Sequence, residues 1–84
     1  MPMLEEREFN TADIYVPAKR RRTLNPKTVE EIAESMIEEG QLTAILLRED
    51  GARFVLVEGL HRLEAAKALG EETIIGVIVQ ARAH

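Results

Sequence analysis

The apolar residues of this chain change their spacing along the sequence, and these changes constrain the fold more than any other feature. Between residues 26 and 39 they recur every three or four positions, which is typical of an amphipathic helix. Residues 44–48 and 53–58 are instead nearly continuous β-branched or leucine-rich runs. The segment between these runs contains Asp50-Gly51, a frequent hairpin turn. We therefore predict a helix followed by a β-hairpin.

The predicted first helix has clear start and stop signals. Asn25 is a suitable N-cap, and Pro26 suits the first helical position. Thr28 with a glutamate three positions later also fits a capping box, and Gly40 ends the helix. The face opposite the apolar stripe is rich in glutamate and is predicted to be solvated. The residues predicted to form core contacts here are Ile32, Met36, Ile37 and, from the following helix, Leu63.

Helical spacing returns after Gly59 and stops at Gly70. Residues 74–79 then form an almost continuous apolar run, as expected for a strand that is covered on both faces. A short β-favouring stretch at Ala12–Val16, followed by a basic loop, precedes the first helix. The predicted order is β-α-β-β-α-β, an α+β fold in which two helices pack on a small mixed sheet. Residues 1–10 are predicted to be a disordered lead-in, and residues 11–84 a single domain.

Composition excludes several classes of function. The 84 residues include no cysteine, which excludes a thiolate zinc site and a thiol nucleophile and fits a reducing cytoplasm. No apolar stretch approaches the roughly 18 residues needed to cross a bilayer, so no membrane association is expected. The net charge of −4 disfavours broad nucleic-acid binding, since that affinity comes mainly from neutralised phosphates. One local exception is the basic run at residues 19–22.

The junction between the second hairpin strand and the second helix is the strongest candidate for a site. Unpaired amides at a helix start, the helix dipole and a glycine together favour an anion. His61 and Arg62 lie in the first turn, where positive charge opposes the dipole, and both side chains suit phosphate. An equally acceptable interpretation pairs Arg62 with Glu58 or a first-helix glutamate and leaves His61 on the surface.

Two blocks of this sequence resemble the N-terminal domain of ParB partition proteins. Residues 32–48 are similar to that family's helix-glycine-strand segment. Residues 59–70 resemble its Gly-x-x-Arg box and the alanine-rich helix that follows. In the related superfamily, the resemblance implies a box that binds nucleotide phosphates: CTP in ParB, ATP in sulfiredoxin and an adenine nucleotide in free-serine kinases. The implied fold is therefore ParB/sulfiredoxin-like, and the implied cofactor is CTP or ATP, with Mg²⁺ as an additional ligand.

The resemblance assigns residues by position within the box. Gly59 and Arg62 match it directly, His61 matches the Gly-x-His-Arg form, and Leu60 replaces the catalytic cysteine of sulfiredoxin. Sulfinic-acid reduction is therefore excluded. Ala44 also departs from the ParB pattern, which has proline there. The predicted phosphate-binding residues are Gly59, Leu60, His61 and Arg62, with Lys19, Arg20 and Arg22 from the basic run and Arg21 facing solvent.

A catalytic or metal-binding role is the weaker interpretation of Glu58. It occupies the position at which free-serine kinases carry an aspartate, and a carboxylate there suits Mg²⁺ or proton transfer. His61 is the second candidate for proton transfer. A lone carboxylate more often simply ends a strand.

Three functions follow as hypotheses. The first is a nucleotide-binding regulatory domain linked to plasmid or chromosome partition or to transcription regulation. The second is a nucleotide-dependent phosphotransferase, hydrolase or nuclease, and the third is a DNA- or protein-binding adaptor without nucleotide. The resemblance allows a homodimer, and the acidic charge predicts that DNA is contacted only indirectly or through another protein.

Overall fold

A single mixed sheet of five strands and three α-helices make up residues 5–79, the part of the chain that this computed structural model describes. The strands are β1 (Glu6–Asn10), β2 (Ile14–Tyr15), β3 (Ile45–Asp50), β4 (Arg53–Glu58) and β5 (Thr73–Ile78). The helices are α1 (Ala18–Arg21), α2 (Pro26–Glu39) and α3 (Leu60–Ala68). The order across the sheet is β1-β5-β3-β4-β2. Among residues 5–79, no helix has the length and apolar character needed to cross a membrane.

The predicted α+β class and mixed sheet are confirmed, and the local signals placed α2, the hairpin and α3 correctly. The Asn25 side chain accepts hydrogen bonds from the amides of Lys27 at 3.0 Å and Thr28 at 3.5 Å, as expected of an N-cap. The alternative capping box does not form, because Thr28 already lies inside the helix. Gly40 follows the last helical residue. The antiparallel β3–β4 pair turns at residues 51–52.

The prediction of a disordered lead-in is wrong for residues 6–10, which form strand β1, and residues 1–4 of that prediction lie outside the described part of the chain. It pairs antiparallel with β5, from Glu6 opposite Val77 to Asn10 opposite Thr73. Because β1 is an edge strand, Phe9 is its only buried residue, and the other four residues of β1 are polar or charged. The ring of Phe9 packs over Gly76, where a Cβ would lie 3.1 Å from it. One buried side chain in five leaves no alternating pattern to recognise in the sequence.

The segment before α2 is also more structured than predicted. Residues 12–16 were expected to form a strand, but Thr11–Asp13 form a 3₁₀ turn and the strand is limited to Ile14–Tyr15. This short β2 runs parallel to β4, with Ile14 opposite Phe54. The basic run, predicted to be a loop, is mostly the one-turn helix α1.

The core lies between one face of the sheet and helix α3, with α2 packed against α3. Leu63 is completely buried, as predicted, and Met36 packs at the edge of the core. Ile32 is half-buried, whereas the core prediction for Ile37 is wrong because 70% of it is exposed. At about 100° per residue, Ile37 lies about 140° around the helix from Ile32 and therefore faces away from α3.

Gln41 extends the ladder between β3 and β5 with its side chain. Its Nε2 donates to the carbonyl of Ile75 at 2.8 Å and to that of Thr43 at 2.9 Å. Its Oε1 accepts from the Ile75 amide at 2.7 Å. Strand pairing between β3 and β5 begins only at Ile45 opposite Gly76. The carboxamide of Gln41 therefore replaces one missing residue of β3.

We expect Gln41→Ala to lower the free energy of unfolding by about 1–3 kcal/mol, because part-buried backbone groups of Ile75 lose their partners. Urea denaturation measures the loss. Gln41→Glu keeps an acceptor but removes both donated bonds, so its loss should be comparable or larger. An unchanged urea midpoint for Gln41→Ala would show that these bonds contribute nothing.

Candidate functional site

The junction between β4 and α3 depends on Gly59. This residue has φ +109° and ψ 29°, and its carbonyl accepts the first bond of the helix from the Leu63 amide at 2.9 Å. A Cβ at this position would lie 2.6 Å from Cγ2 and 2.9 Å from Cβ of Ile45. Ile45 is itself completely buried on β3. Both the positive φ angle of Gly59 and its close approach to Ile45 therefore require glycine at this position.

The first turn of α3 presents unpaired backbone donors. Among the hydrogen bonds of residues 5–79, the amides of Leu60, His61 and Arg62 have no protein acceptor. The N-cap glycine contributes no side-chain bond, and the first turn carries no acidic residue. The dipole adds roughly half a positive charge at this end of a helix. The geometry thus fits the binding of an anion.

A cleft of about 320 Å³ lies over this first turn. It brings together residues from four elements of the fold and from the loop that follows α1. They are Arg20, Thr23, Ile32, Glu58, Gly59, Leu60, His61 and Arg62. The predicted site residues from Glu58 to Arg62 therefore share one concave surface, while Thr23 and Ile32 were not anticipated. No local sequence signal distinguishes either of those two from an ordinary loop or core residue.

His61 connects α3 to the start of α2. Its Nε2 accepts a hydrogen bond from the backbone amide of Asn25 at 2.9 Å, so a neutral ring carries its proton on Nδ1. Asn25 is the N-cap of α2, so this contact holds the two helix starts side by side. Neither earlier interpretation included this contact. One nitrogen of the ring is committed to the fold, and Nδ1–H remains as a donor.

Glu58 forms an ion pair at the rim of the cleft. Its Oε1 lies 3.4 Å from Nη1 of Arg20, and the two side chains are 61% and 42% exposed, respectively. Arg62 forms no ion pair with any residue between 5 and 79 and is half-buried. The structure thus differs from the alternative in which Arg62 pairs with Glu58 or a glutamate of α2. The carboxylate does not reach the amides at the start of α3.

Only one residue of the basic run lines the cleft. Arg20 does, whereas Lys19 and Arg22 are exposed and lie outside its lining. Arg21 was predicted to face solvent; its side chain is exposed and its Nε donates to the carbonyl of Val16 at 3.4 Å. Since α1 is a single helical turn, its neighbouring side chains point in different directions. The basic run at residues 19–22 therefore does not form one continuous positive surface.

The lining of the cleft includes one carboxylate, that of Glu58, and one imidazole, that of His61. Leu60 is buried in the core and offers no nucleophile. Glu58 is the carboxylate of the lining, and no cluster of three metal-ligating side chains occurs within residues 5–79. A divalent cation here would need most of its oxygen ligands from a bound phosphate chain and from water.

The family model of the ParB N-terminal domain matches residues 5–84. The chain belongs to the ParB N-terminal domain family. A probable chromosome-partitioning protein ParB of Campylobacter jejuni is 32% identical over 62 residues, which make up 74% of this chain and 22% of that protein. The present ParB-type domain thus spans about a fifth of that relative's length.

Solved structures agree with this assignment. Sulfiredoxin from Arabidopsis thaliana superposes with a TM-score of 0.82 at 29% identity over 95% of this chain and 88% of the other. The C-terminally truncated ParB of Caulobacter crescentus complexed with CTP-γ-S gives a TM-score of 0.75 at 26% identity over 95% of this ParB-type domain and 46% of that chain. A free serine kinase in complex with ADP gives 0.77 at 22% identity over 88% of this chain and 30% of the other, a likeness of fold alone.

Proposed function

We propose that this ParB-type domain binds the phosphates of a nucleotide, CTP or ATP, and acts as a regulatory module of a partition system. The observation that carries the proposal is the set of unpaired amides at the start of α3, which line a cleft together with Arg20 and Arg62. Backbone donors, the positive end of a helix dipole and two arginine residues line one cleft. That combination of donors suits a ligand with several phosphate groups better than a ligand with a single carboxylate.

The Caulobacter relative supports the choice of ligand. That protein was crystallised with CTP-γ-S, and its fold covers nearly the whole of this chain. The proposal includes both CTP and ATP. Sulfiredoxin chemistry is not proposed, because the chain contains no cysteine.

The residues from Gly59 to Arg62 receive distinct roles in this proposal. Gly59 allows the backbone to approach the ligand, and the amides of Leu60, His61 and Arg62 donate to phosphate oxygens. The guanidinium of Arg62 binds the same phosphates, and His61 positions the start of α2 and offers Nδ1–H. Lys19 and Arg22, which lie outside the lining, contribute only to the positive potential of the rim.

Magnesium fits the site as a companion of the nucleotide. Glu58 would hold it, with phosphate oxygens and water as the remaining ligands, and the cation would neutralise charge on the phosphates. Catalysis by Glu58 or His61 is not part of the proposal. The former is paired with Arg20, and the latter uses Nε2 to bind Asn25.

The partition role, the location and the partners are proposed from the relatives. The Caulobacter protein has also been crystallised with its centromeric parS site, at 26% identity. Because this sequence is acidic, we propose that DNA is contacted through other parts of the assembly. Homodimerisation and a cytoplasmic location complete the proposal.

We expect Arg62→Ala to weaken nucleotide binding by roughly 10- to 100-fold, as a charge-assisted hydrogen bond to phosphate contributes about 1.5–3 kcal/mol. Calorimetric titration with CTP and ATP, with and without Mg²⁺, measures the change. Wild-type protein should also melt at a higher temperature in millimolar nucleotide.

The matched control is Arg53→Ala, which removes an exposed arginine that pairs with Asp50 outside the cleft. Its nucleotide affinity should equal that of the wild type. Wild-type protein whose melting temperature does not change with any nucleotide at millimolar concentration would contradict the proposed function. Equal losses for Arg62→Ala and Arg53→Ala would indicate non-specific charge attraction instead.

A further inference from the structure

Arg20 occupies the rim of the cleft but is held by a carboxylate of the protein itself. Its Nη1 lies 3.4 Å from Oε1 of Glu58, and both residues line the cleft over the start of α3. Among the side chains that line this cleft, Arg20 and Arg62 are the arginines and Glu58 is the carboxylate. The rim therefore carries an internal anion next to the place where an external one would bind.

The ion pair is weak enough to be exchanged. At 3.4 Å it is longer than a good charge-assisted hydrogen bond, and both side chains are well exposed. Exposed pairs of this kind contribute about 0–1 kcal/mol. A phosphate oxygen held on the amides of α3 offers the guanidinium an acceptor with more charge and better geometry. Phosphate and Glu58 also repel each other when both are present.

On these grounds we infer that Arg20 exchanges its counter-ion: it releases the carboxylate of Glu58 and binds the phosphate chain of a nucleotide instead. Glu58 is then a competing internal anion that weakens binding of nucleotide without a divalent cation. The inference rests on the proposed function and adds to it, since it assigns a mobile phosphate-binding residue and the contact that restrains it. No covalent step is involved.

A double-mutant cycle tests the exchange. The affinities of wild type, Glu58→Gln, Arg20→Gln and the double variant for ATP and for CTP are measured by calorimetry in EDTA. Glu58→Gln should tighten binding roughly threefold, consistent with the loss of one exposed pair in the free protein. In the Arg20→Gln background, where there is no pair to release, most of this gain should disappear.

The control is Glu64→Gln, which also removes one negative charge but lies on α3, outside the lining of the cleft. There, Oε2 of Glu64 lies 4.0 Å from Nζ of Lys67. Its affinity should stay near that of the wild type. Urea denaturation verifies that all variants fold, as expected for exposed side chains.

The outcomes separate the two proposals. Equal tightening by Glu58→Gln in both backgrounds would mean that Glu58 only repels phosphate, and the exchange would be wrong. Unchanged or weaker binding by Glu58→Gln in EDTA would also overturn it. Wild-type protein that binds neither ATP nor CTP would overturn the proposed function itself, whereas binding with additive effects would remove the exchange alone.

Discussion

Gly59→Ala is expected to destabilise the domain by about 2–4 kcal/mol, from a strained backbone and an overpacked core together. The φ angle of +109° is unfavourable for any residue with a Cβ. The new methyl group would also collide with Cγ2 and Cβ of Ile45, which is completely buried and has no space to move into. A domain of this size has a total stability of only about 4–13 kcal/mol, so the loss is a large share of it.

The measurement is urea denaturation followed by circular dichroism, with Gly70→Ala as the matched control. Gly70 also has positive φ, at +78°, but a Cβ there would meet nothing within 4 Å. That variant should lose only about 1 kcal/mol, from backbone strain. Equal losses at the two positions would show that the contact with Ile45 does not add to the loss of stability.

Gly59→Ala should also disturb the proposed phosphate site in whatever fraction remains folded. The strain can be relieved only by moving β3 or the first turn of α3, and the unpaired amides of that turn form the site. We therefore expect nucleotide affinity to fall together with stability. Retained affinity in a destabilised variant would locate the ligand elsewhere.

Leu63→Ala is expected to cost about 2–5 kcal/mol, the range for large-to-small changes at fully buried positions. Leu63 has no exposed surface and belongs to the same core cluster as Ile45 and Leu47. The cost includes a cavity as well as lost hydrophobic burial, because the sheet and the helix cannot both collapse into the space. Urea denaturation at neutral pH gives the difference directly.

Leu42→Ala makes the same chemical change at a position that is 66% exposed. It should alter the free energy of unfolding by no more than about 0.5 kcal/mol. A loss at Leu42 as large as at Leu63 would mean that Leu42 is covered in solution. A loss below about 1 kcal/mol at Leu63 would contradict the core described here.

Most of the fold could be predicted wherever its determinants are close together in the sequence. The period of three to four residues defined α2, the Asn25 cap and Gly40 fixed its ends, and Asp50-Gly51 placed the hairpin. Strand β1 could not be predicted in the same way. Its pairing partner lies more than 60 residues away, and only Phe9 among its side chains is buried. An edge strand that is mostly charged has no local signature of a strand.

The candidate site likewise combines features that are local in the sequence with contacts between distant residues. Gly59 and Arg62 were predicted as site residues from a strand-glycine-helix junction and from the resemblance to the Gly-x-x-Arg box, both of which are contiguous in the sequence. The partners of the neighbouring side chains were not, because each comes from another element. His61 binds the Asn25 amide at the start of α2, and Glu58 pairs with Arg20 of α1. Spacing cannot reveal a contact between residues 36 or 38 positions apart.

The sequence by itself determined helices α2 and α3, the hairpin and the glycine that opens α3, because caps, turn residues and apolar periods act over a few neighbouring residues. Only the tertiary structure decided the order of the strands, the exposure of Ile37 and which member of the basic run reaches the cleft. Those outcomes depend on how distant elements pack. Packing fixes the direction of each side chain only after the sheet and the helices have met.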